Sequence, residues 1–266
     1  MIQTNVMGIL NVTPDSFSDG GKFVSFDAAL AQVEQMIGDG ADIIDIGGES
    51  TRPGALNVSV QDEIARVIPL LKAIKTQFDV KVSVDTSKAE VMSQAIACGV
   101  DIINDVRALR NEGCLAVVAQ SNVPVCLMHM QGLPRTMQDQ PEYDDVINDI
   151  KNFFVERLNA CEQAGIKRER IILDPGFGFG KTLEQNYQLL ANLHQFNELG
   201  LPLLCGTSRK SMIGNLLGRN VDERLAGSLT TAIIAAQQNA SIIRVHDVKE
   251  TVDALKTLAF TKRLQN

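Results

Sequence analysis

Eight short apolar runs, each ending in polar or glycine residues, recur along the chain and constrain its fold more than any other feature. They span residues 6–12, 42–48, 81–86, 101–106, 124–129, 171–176, 201–208 and 242–247. Helical patterns lie between them, at 25–39, 60–77, 87–98, 112–121, 143–164, 183–198, 210–238 (with a break near Gly218) and 248–263. Nearly continuous apolar strands that alternate with helices are typical of a parallel sheet buried on both faces.

Eight strand–helix units in succession predict an α/β protein built as a single (β/α)8 TIM barrel. A doubly wound sheet of eight strands is the alternative. The chain has 266 residues, a length that one α/β barrel routinely fills, and no low-complexity linker interrupts the alternation. We therefore expect one domain over residues 1–266.

Composition and charge exclude several classes of protein. The chain has 25 Lys+Arg against 32 Asp+Glu, a net charge of −7, which argues against general nucleic-acid binding. The longest uncharged stretch, residues 225–243, is too polar to cross a bilayer. No signal peptide is evident at the N-terminus, and the five cysteines form no C-x-x-C pair, which is typical of reduced thiols in the cytosol. We expect a cytoplasmic protein without nucleic-acid or membrane partners.

Two helix starts have clear sequence signals. Ser59 is predicted to cap the helix over 60–77, and the segment Ser87-Lys-Ala-Glu90 predicts a capping box directly after the third strand. These interpretations assign local structural roles to both serines.

Polar residues occupy the predicted strand ends, where (β/α)8 barrels carry their chemistry. The number of polar side chains at the carboxyl ends of the strands is larger than helix capping alone explains. They are Asn11, Asp45, Asp85, Asn104, His129, Asp174, Ser208, Arg244 and His246.

The last two strand ends predict an anion site. Arg244 and His246 are two residues apart, so their side chains share one face of the strand. Ser208 and Lys210 open the helix after the seventh strand, whose first amides are donors for an anion. Loops seven and eight commonly hold phosphate in such barrels. The alternative is an ion pair of Arg244, for example with Asp247, together with an ordinary serine cap.

Two carboxylates and an amide predict a pocket for a flat ligand with ring N–H groups. Asp85 and Asp174 end the third and sixth strands, and Asn104 lies on the fourth. A carboxylate accepts two parallel N–H bonds, and an asparagine both donates and accepts. The alternatives are a helix cap for Asp85 and an ion pair of Asp174 with Lys210.

Three glycine-rich segments favour ligand contact over packing. The stretch Pro175-Gly-Phe-Gly-Phe-Gly-Lys181-Thr182 fails as a phosphate-binding loop because Pro175 stands where that motif needs glycine; we expect Phe177 or Phe179 to cover a ligand there. We interpret segments 11–21 and 47–54 as mobile lids that bring side chains to the carboxyl ends of the strands. Those side chains are Phe17, Thr51, Arg52 and Pro53.

The blocks GILNVTPDSFSDGG, DIGGESTRPGA, SVDTSK, INDVRAL, LMHMQG, LDPGFGFGK, GTSRKSMIG and RVHDVKET resemble, in this order, the dihydropteroate synthase family of bacterial folate biosynthesis. The resemblance covers nearly the whole chain. It implies a transferase that joins p-aminobenzoate to 6-hydroxymethyl-7,8-dihydropterin pyrophosphate, with release of pyrophosphate. It also implies a cytoplasmic homodimer that is a target of sulfonamides, which mimic p-aminobenzoate.

The resemblance assigns site residues by position. It implies a pterin pocket of Asp85, Asn104, Asp174 and Lys210, of which Asp85, Asp174 and Lys210 are expected to be catalytic. It implies pyrophosphate binding by Asn11, Arg244 and His246, with Mg²⁺ on Asn11 as a metal that arrives with the substrate. It implies p-aminobenzoate binding by Phe17, Thr51, Arg52, Pro53, Phe179 and Ser208. No role is assigned to Asp45, Asp105 or His129.

Two other functions compete with this interpretation. The pterin-binding barrel of a corrinoid-dependent methyltransferase shares the aspartates and the asparagine but has no leaving phosphate to bind. A phosphosugar isomerase or aldolase needs an inward lysine or glutamate base on a middle strand, and we find none. The basic residues around Lys210 and Arg244 favour the synthase.

Overall fold

The structure is a computed structural model that describes residues 4–12, 22–50, 57–132 and 141–264, with only the backbone for 22–25. Its eight strands are β1 (Asn5–Asn11), β2 (Ile43–Gly47), β3 (Lys81–Asp85), β4 (Ile102–Asp105), β5 (Val125–Met128), β6 (Ile171–Asp174), β7 (Leu204–Cys205) and β8 (Ile242–Val245). All the pairings between them are parallel, in the order β6-β5-β4-β3-β2-β1-β8-β7. A parallel bridge between Leu173 and Leu203 joins β6 to the start of β7 and completes the ring. The predicted (β/α)8 barrel is confirmed.

Helices follow the strands around the barrel. They are α1 (Lys22–Gly38), α2 (Val60–Gln77), α3 (Ala89–Ala97), α4 (Cys114–Ala119), α5 (Val146–Gln163), α6 (Leu183–Ala191), α7 (Ser211–Leu217), α8 (Leu225–Gln237) and α9 (Val248–Arg263). Short 3₁₀ helices lie at Arg168–Arg170, Leu193–Leu199 and Val221–Glu223. Within the described ranges, no helix combines the length and apolarity that a membrane span requires.

Besides a small cluster of Val106, Met128 and Met130, the apolar residues form two main cores. The larger one fills the space between the sheet and the helices, with Ile44, Val84 and Leu173 on the strands and Phe154 on α5. The smaller one contains only strand residues and therefore lies inside the barrel: Met7, Ile43, Ile102, Cys126, Ile172, Leu204 and Ile242. The strands thus bury both faces, as their continuous apolar sequences predict. All five cysteines are unpaired, as expected.

The predicted bounds of the seventh strand differ from the structure, whereas a predicted helix break is found. The seventh strand shortens from 201–208 to two residues, because Pro202 has no N–H for the ladder and residues 206–210 turn toward the next helix. The predicted break near Gly218 is confirmed: Gly218 ends α7 with a left-handed φ of 64°, a conformation that glycine adopts without strain.

The two predicted helix caps have opposite outcomes. Ser59 caps α2 and accepts a hydrogen bond from Asp62 N at 3.1 Å. The capping box at Ser87 is wrong, because α3 begins one residue later, at an N-cap of Lys88. The Ser87 hydroxyl donates instead to the buried carboxylate of Asp105, which competes successfully for it.

Candidate active site

The alternation of side chains along each strand places the polar residues just above the inner apolar core. Because the period is two, the residue two positions after an inner apolar residue also points inward. Four strands use this relation: Asp45 follows Ile43, Asn104 follows Ile102, Asp174 follows Ile172 and Arg244 follows Ile242. The carboxyl ends of the strands therefore enclose a polar layer above an apolar floor.

Arg244 connects two carboxylates from different strands. Its Nε donates to Asp45 Oδ2 at 2.6 Å, and its Nη2 donates to Asp85 Oδ2 at 3.1 Å. Asn104 Nδ2 donates to the same Asp45 oxygen at 3.2 Å. Asp45 is fully buried, so it orients both the guanidinium and the amide of Asn104 from below.

One guanidinium does not fully compensate two buried carboxylates. Burial raises the pKa of Asp85 to about 8; Arg244 opposes this shift, and Asp45 adds to it. Burial alone would lower the pKa of Arg244, but Asp45 and Asp85 raise it above its usual value. Arg244 therefore stays charged, and Asp85 is mostly protonated at neutral pH.

Asp174 and Lys210 carry opposite charges, and each affects the pKa of the other. Burial raises the pKa of Asp174, and this shift is opposed by Lys210, by a hydrogen bond from Gly176 N and by Arg244. Burial lowers the pKa of Lys210 to about 8, and Asp174 opposes that shift. The Lys210 ammonium donates to the Phe177 carbonyl and lies 4.6 Å from the centre of the Phe179 ring. Asp174 and Arg244 thus share one pocket, as the predicted site requires.

Three anchors fix the turn that presents Ser208 and Lys210. Arg209, between them, has a left-handed φ of 56°, which is unusual for a non-glycine residue. Its N–H donates to Ser228 Oγ at 2.9 Å, and its carbonyl accepts from Arg224 Nη1 at 2.9 Å. Its guanidinium pairs with Asp247. These contacts stabilise the conformation of the turn that carries Ser208 and Lys210.

The ends of β7 and β8, and of β1 to β3, bring further predicted residues to the rim. Ser208 Oγ accepts from His246 N at 3.1 Å and lies 3.1 Å from His246 Nδ1. On the other side, a Cβ on Gly47 would lie 3.4 Å from Asn11 Oδ1 and 3.9 Å from the Cβ of Asp85. Asn11 and Asp85 therefore both lie beside Gly47, at the ends of neighbouring strands.

The structure brings together the predicted residues that it describes. Asp85, Asn104 and Arg244 share one network, Asp174 and Lys210 interact, and Phe179 lies against Lys210. Four predicted residues lie outside the described ranges: Phe17, Thr51, Arg52 and Pro53. The alternative pairing of Arg244 with Asp247 is wrong, because Arg209 takes Asp247.

The three residues left without a role support the site from behind. Asp45 orients Arg244 and Asn104. Asp105 accepts from Arg107 N at 2.8 Å and from Leu109 N at 2.7 Å, and so holds the loop after β4. His129 lies 3.1 Å from the Nζ of Lys181, a buried lysine that the sequence analysis did not single out. Asp45 is one of the predicted strand-end residues, and its inward position two residues after Ile43 is the signal for this supporting role.

Carboxylates and two cations gathered at the carboxyl ends of the strands of a (β/α)8 barrel are typical of an enzyme active site. The family model described as pterin binding enzyme matches residues 7–246. The dihydropteroate synthase of Escherichia coli strain K12 is 57% identical over 257 residues, which is 97% of this chain and 91% of that protein. The chain belongs to the dihydropteroate synthase family.

Solved structures agree in fold. The Yersinia pestis dihydropteroate synthase, in a sulfonamide drug complex, superposes with a TM-score of 0.94 at 53% identity and covers 98% of this chain and 95% of its own. The Xanthomonas albilineans dihydropteroate synthase in complex with 7,8-dihydropteroate superposes with a TM-score of 0.89 at 48% identity and covers 98% and 94%.

Proposed function

We propose that the residues at the carboxyl ends of the strands, which we call the barrel mouth, bind different parts of the substrates in dihydropteroate synthesis. This reaction is the condensation of p-aminobenzoate with 6-hydroxymethyl-7,8-dihydropterin pyrophosphate. Asp85, Asn104 and Asp174 bind the donor and acceptor edge of the pterin ring, with Lys210 beside it. The observation that carries this proposal is the juxtaposition of the two carboxylates with Lys210 and Arg244 in one pocket. The pocket is thereby acidic toward the ring and cationic toward a leaving anion.

The chemistry follows from this charge distribution. The bond from the pterin methylene carbon to the pyrophosphate oxygen breaks, and both electrons go to that oxygen. Positive charge develops on the methylene and the ring, where the carboxylates of Asp85 and Asp174 stabilise it. The p-aminobenzoate nitrogen then forms the new carbon–nitrogen bond and loses a proton. Such a weakly basic amine needs positioning more than a strong base.

The leaving pyrophosphate is assigned to Arg244 and His246. A guanidinium has five N–H donors, of which Asp45 and Asp85 accept two; the others are assigned to phosphoryl oxygens. Charge-assisted hydrogen bonds of this kind contribute about 1.5–3 kcal/mol each. Arg244 therefore connects one ring-binding carboxylate, that of Asp85, with the leaving group.

A magnesium ion fits this side of the pocket as a partner of the pyrophosphate. Among the residues that the structure describes, no group of three His, Cys, Asp or Glu side chains could hold a metal. Mg²⁺ commonly takes one or two protein oxygens and completes its shell with phosphate and water, and Asn11 Oδ1 is the oxygen that would hold it. When bound, the ion supplies positive charge to the departing pyrophosphate.

The p-aminobenzoate site is assigned to Phe179 and Ser208, together with Phe17, Thr51, Arg52 and Pro53. Phe179 supports this assignment because its ring lies against Lys210, beside the pterin pocket. Ser208 supports it because its hydroxyl lies on the same turn as Lys210. Sulfonamides, as mimics of p-aminobenzoate, are expected to compete for this site.

The test of the proposed reaction is pyrophosphate release with and without p-aminobenzoate. We expect release to rise steeply when p-aminobenzoate is added, with one 7,8-dihydropteroate formed for each pyrophosphate. Release that does not respond to p-aminobenzoate would contradict the proposal. Methyl transfer from a methylated folate to a corrinoid would identify the methyltransferase alternative instead.

We expect a narrow bell-shaped pH dependence of kcat/KM for the pterin substrate, with both limbs near pH 8. Below its pKa of about 8, Asp85 gains a proton and loses an acceptor for the ring N–H groups. Above its pKa of about 8, Lys210 loses its charge. Because the two groups interact, the limbs describe the site as a whole. Initial rates from about pH 6 to about pH 10 measure them, and Lys210→Met should lose only the alkaline limb.

We also propose a cytoplasmic homodimer in which each copy is one pterin-binding domain over residues 1–266. Apolar side chains near α7 and α8 support an interface there. Leu216 is 55% exposed and Leu217 is 48% exposed on α7, and Val221 and Leu225 follow them in the chain as exposed residues.

A further inference from the structure

The segment that follows β6, residues 175–181, is pressed against the segment that follows β5. We call residues 175–181 the β6 loop. Gly176 and Gly180 have left-handed φ values of 71° and 62°. A Cβ on Gly176 would lie 1.9 Å from the His129 carbonyl oxygen, and a Cβ on Gly180 would lie 2.7 Å from that of Gln131. The loop can take this path only where side chains are absent.

A buried lysine holds the β6 loop together. Lys181 is 3% exposed, and its Nζ donates to the Gly176 carbonyl at 2.8 Å and to the Phe179 carbonyl at 3.1 Å. The third contact of Nζ is with His129 Nδ1 at 3.1 Å. The three N–H groups of the ammonium thus meet three acceptors, none of which is a carboxylate.

His129 is suited to accept from this lysine. Burial, with Lys181 and Arg110 nearby, lowers the pKa of His129 well below its usual value, so the ring is neutral. Its backbone N–H donates to the Asp174 carbonyl at 2.8 Å, which ties the histidine to the end of β6. The acceptor for Lys181 is therefore fixed to the strand that carries Asp174.

The β6 loop also contacts the Lys210 side chain and fixes its position. The Phe177 carbonyl accepts from Lys210, and the Phe179 ring lies 4.6 Å from the Lys210 Nζ. A Cβ on Gly178 would lie 3.2 Å from Lys210 Cδ. The carbonyls that Lys181 binds, at Gly176 and Phe179, flank these contacts in the chain.

We propose that Lys181, with His129 as one of its acceptors, is a positioning residue that holds the β6 loop in the conformation that seats Lys210. Lys181 contacts the loop itself, and it affects turnover by fixing the position of Lys210. The inference rests on the role proposed above for Lys210. It predicts that the two lysines are not independent in catalysis.

The test is a double-mutant cycle with Lys181→Met and Lys210→Met. We expect Lys181→Met alone to lower kcat/KM for the pterin substrate by about 100-fold, the size of effect that a misplaced group produces. In the Lys210→Met background the same change should have an effect of less than about threefold, because the group that Lys181 positions is gone. Equal effects in both backgrounds, or a Lys181→Met variant with wild-type activity, would overturn the inference.

The pH profile separates positioning from a general loss of folded protein. A loosened β6 loop admits water to Lys210 and reduces the burial that lowers its pKa, so the alkaline limb of Lys181→Met should move to higher pH. A purely structural role would lower the active fraction and leave the limb in place. Lys151→Met is the matched control, because Lys151 pairs with the exposed Glu198 on the outer surface; its kcat/KM should stay within about twofold.

A second variant keeps the inference testable if Lys181→Met does not fold. His129→Leu removes one acceptor and keeps an apolar side chain beside Phe153, whose ring centre is 4.9 Å away. We expect about a tenfold loss that again vanishes in the Lys210→Met background; a loss that persists there would contradict the inference. If Lys210→Met itself retains full activity, the proposed role of Lys210 fails, and that outcome is distinct from a failure of Lys181 alone.

Discussion

Asp174→Asn will abolish turnover while the barrel stays folded. Asparagine has nearly the same shape, and its amide oxygen can still accept the hydrogen bond from Gly176 N, which Asp174 Oδ1 now receives at 2.8 Å. What disappears is the negative charge beside the pterin methylene. Removal of one group aimed at developing charge lowers kcat by about 10²–10³-fold in other enzymes, and we expect at least that loss here.

The stability of this variant should be unchanged or slightly higher. Because burial raises the pKa of Asp174, its ionised form is less favourable in the folded state than in the unfolded chain. The neutral asparagine avoids this penalty, and the difference should be largest above the unfolded pKa of about 3.9. Thermal unfolding together with kcat measures both effects.

A matched control exists at the opposite end of the barrel. Asp42 precedes β2, and its Oδ2 accepts from Val6 N at 2.8 Å, much as Asp174 accepts from Gly176 N. Asp42→Asn makes the same chemical change far from the mouth and should leave kcat within about twofold. Wild-type turnover by Asp174→Asn would remove the pterin-pocket assignment.

The fold and the strand-end residues were predictable because they depend on local sequence patterns. Each short apolar run ends in polar residues, so Asn104 and Asp174 could be placed at the ends of their own strands. The left-handed conformation of Arg209 has no such pattern, because it is stabilised by Ser228, Arg224 and Asp247 on later segments. Such contacts exist only after the barrel closes.

The partners of the charged residues were the part that sequence could not supply. Arg244 contacts Asp45 and Asp85 across 199 and 159 residues of chain, whereas Asp247, its sequence neighbour, pairs with Arg209. Ser87 shows the same limit: its capping box fits local rules, but the carboxylate of Asp105 binds the hydroxyl instead. Tertiary contacts overrode local preference at both positions.

The role of Arg244 leads to the second large effect. Arg244→Met removes the cation that compensates two carboxylates, one of them fully buried. Breaking a buried ion pair by removal of one partner destabilises a protein by about 3–5 kcal/mol. Because the Arg244 side chain is 19% exposed, we expect the lower end of this range. The variant should also lose turnover, since the leaving pyrophosphate loses its guanidinium.

The loss of stability should depend on pH in a defined direction. Without Arg244, the pKa of Asp85, already raised to about 8, rises further in the folded state. The part of the penalty that comes from Asp85 therefore develops as the pH rises above about 8, where the unmodified protein ionises Asp85 beside Arg244 and the variant does not, and it disappears as the pH falls below about 8. The difference in melting temperature between Arg244→Met and the unmodified protein should narrow along the same path.

Two further variants separate stability from catalysis. Asp45→Asn combined with Arg244→Met removes a buried carboxylate together with its partner, so it should recover much of the lost stability but none of the turnover. Arg170→Met provides the converse: Arg170 is buried and donates to the Val118 and Val123 carbonyls at the other end of the barrel. It should destabilise the protein and leave the kcat/KM of the folded enzyme unchanged. If the Asp45–Arg244 double variant instead regained turnover along with stability, Arg244 would serve only to neutralise its neighbours, and pyrophosphate would have to be bound elsewhere.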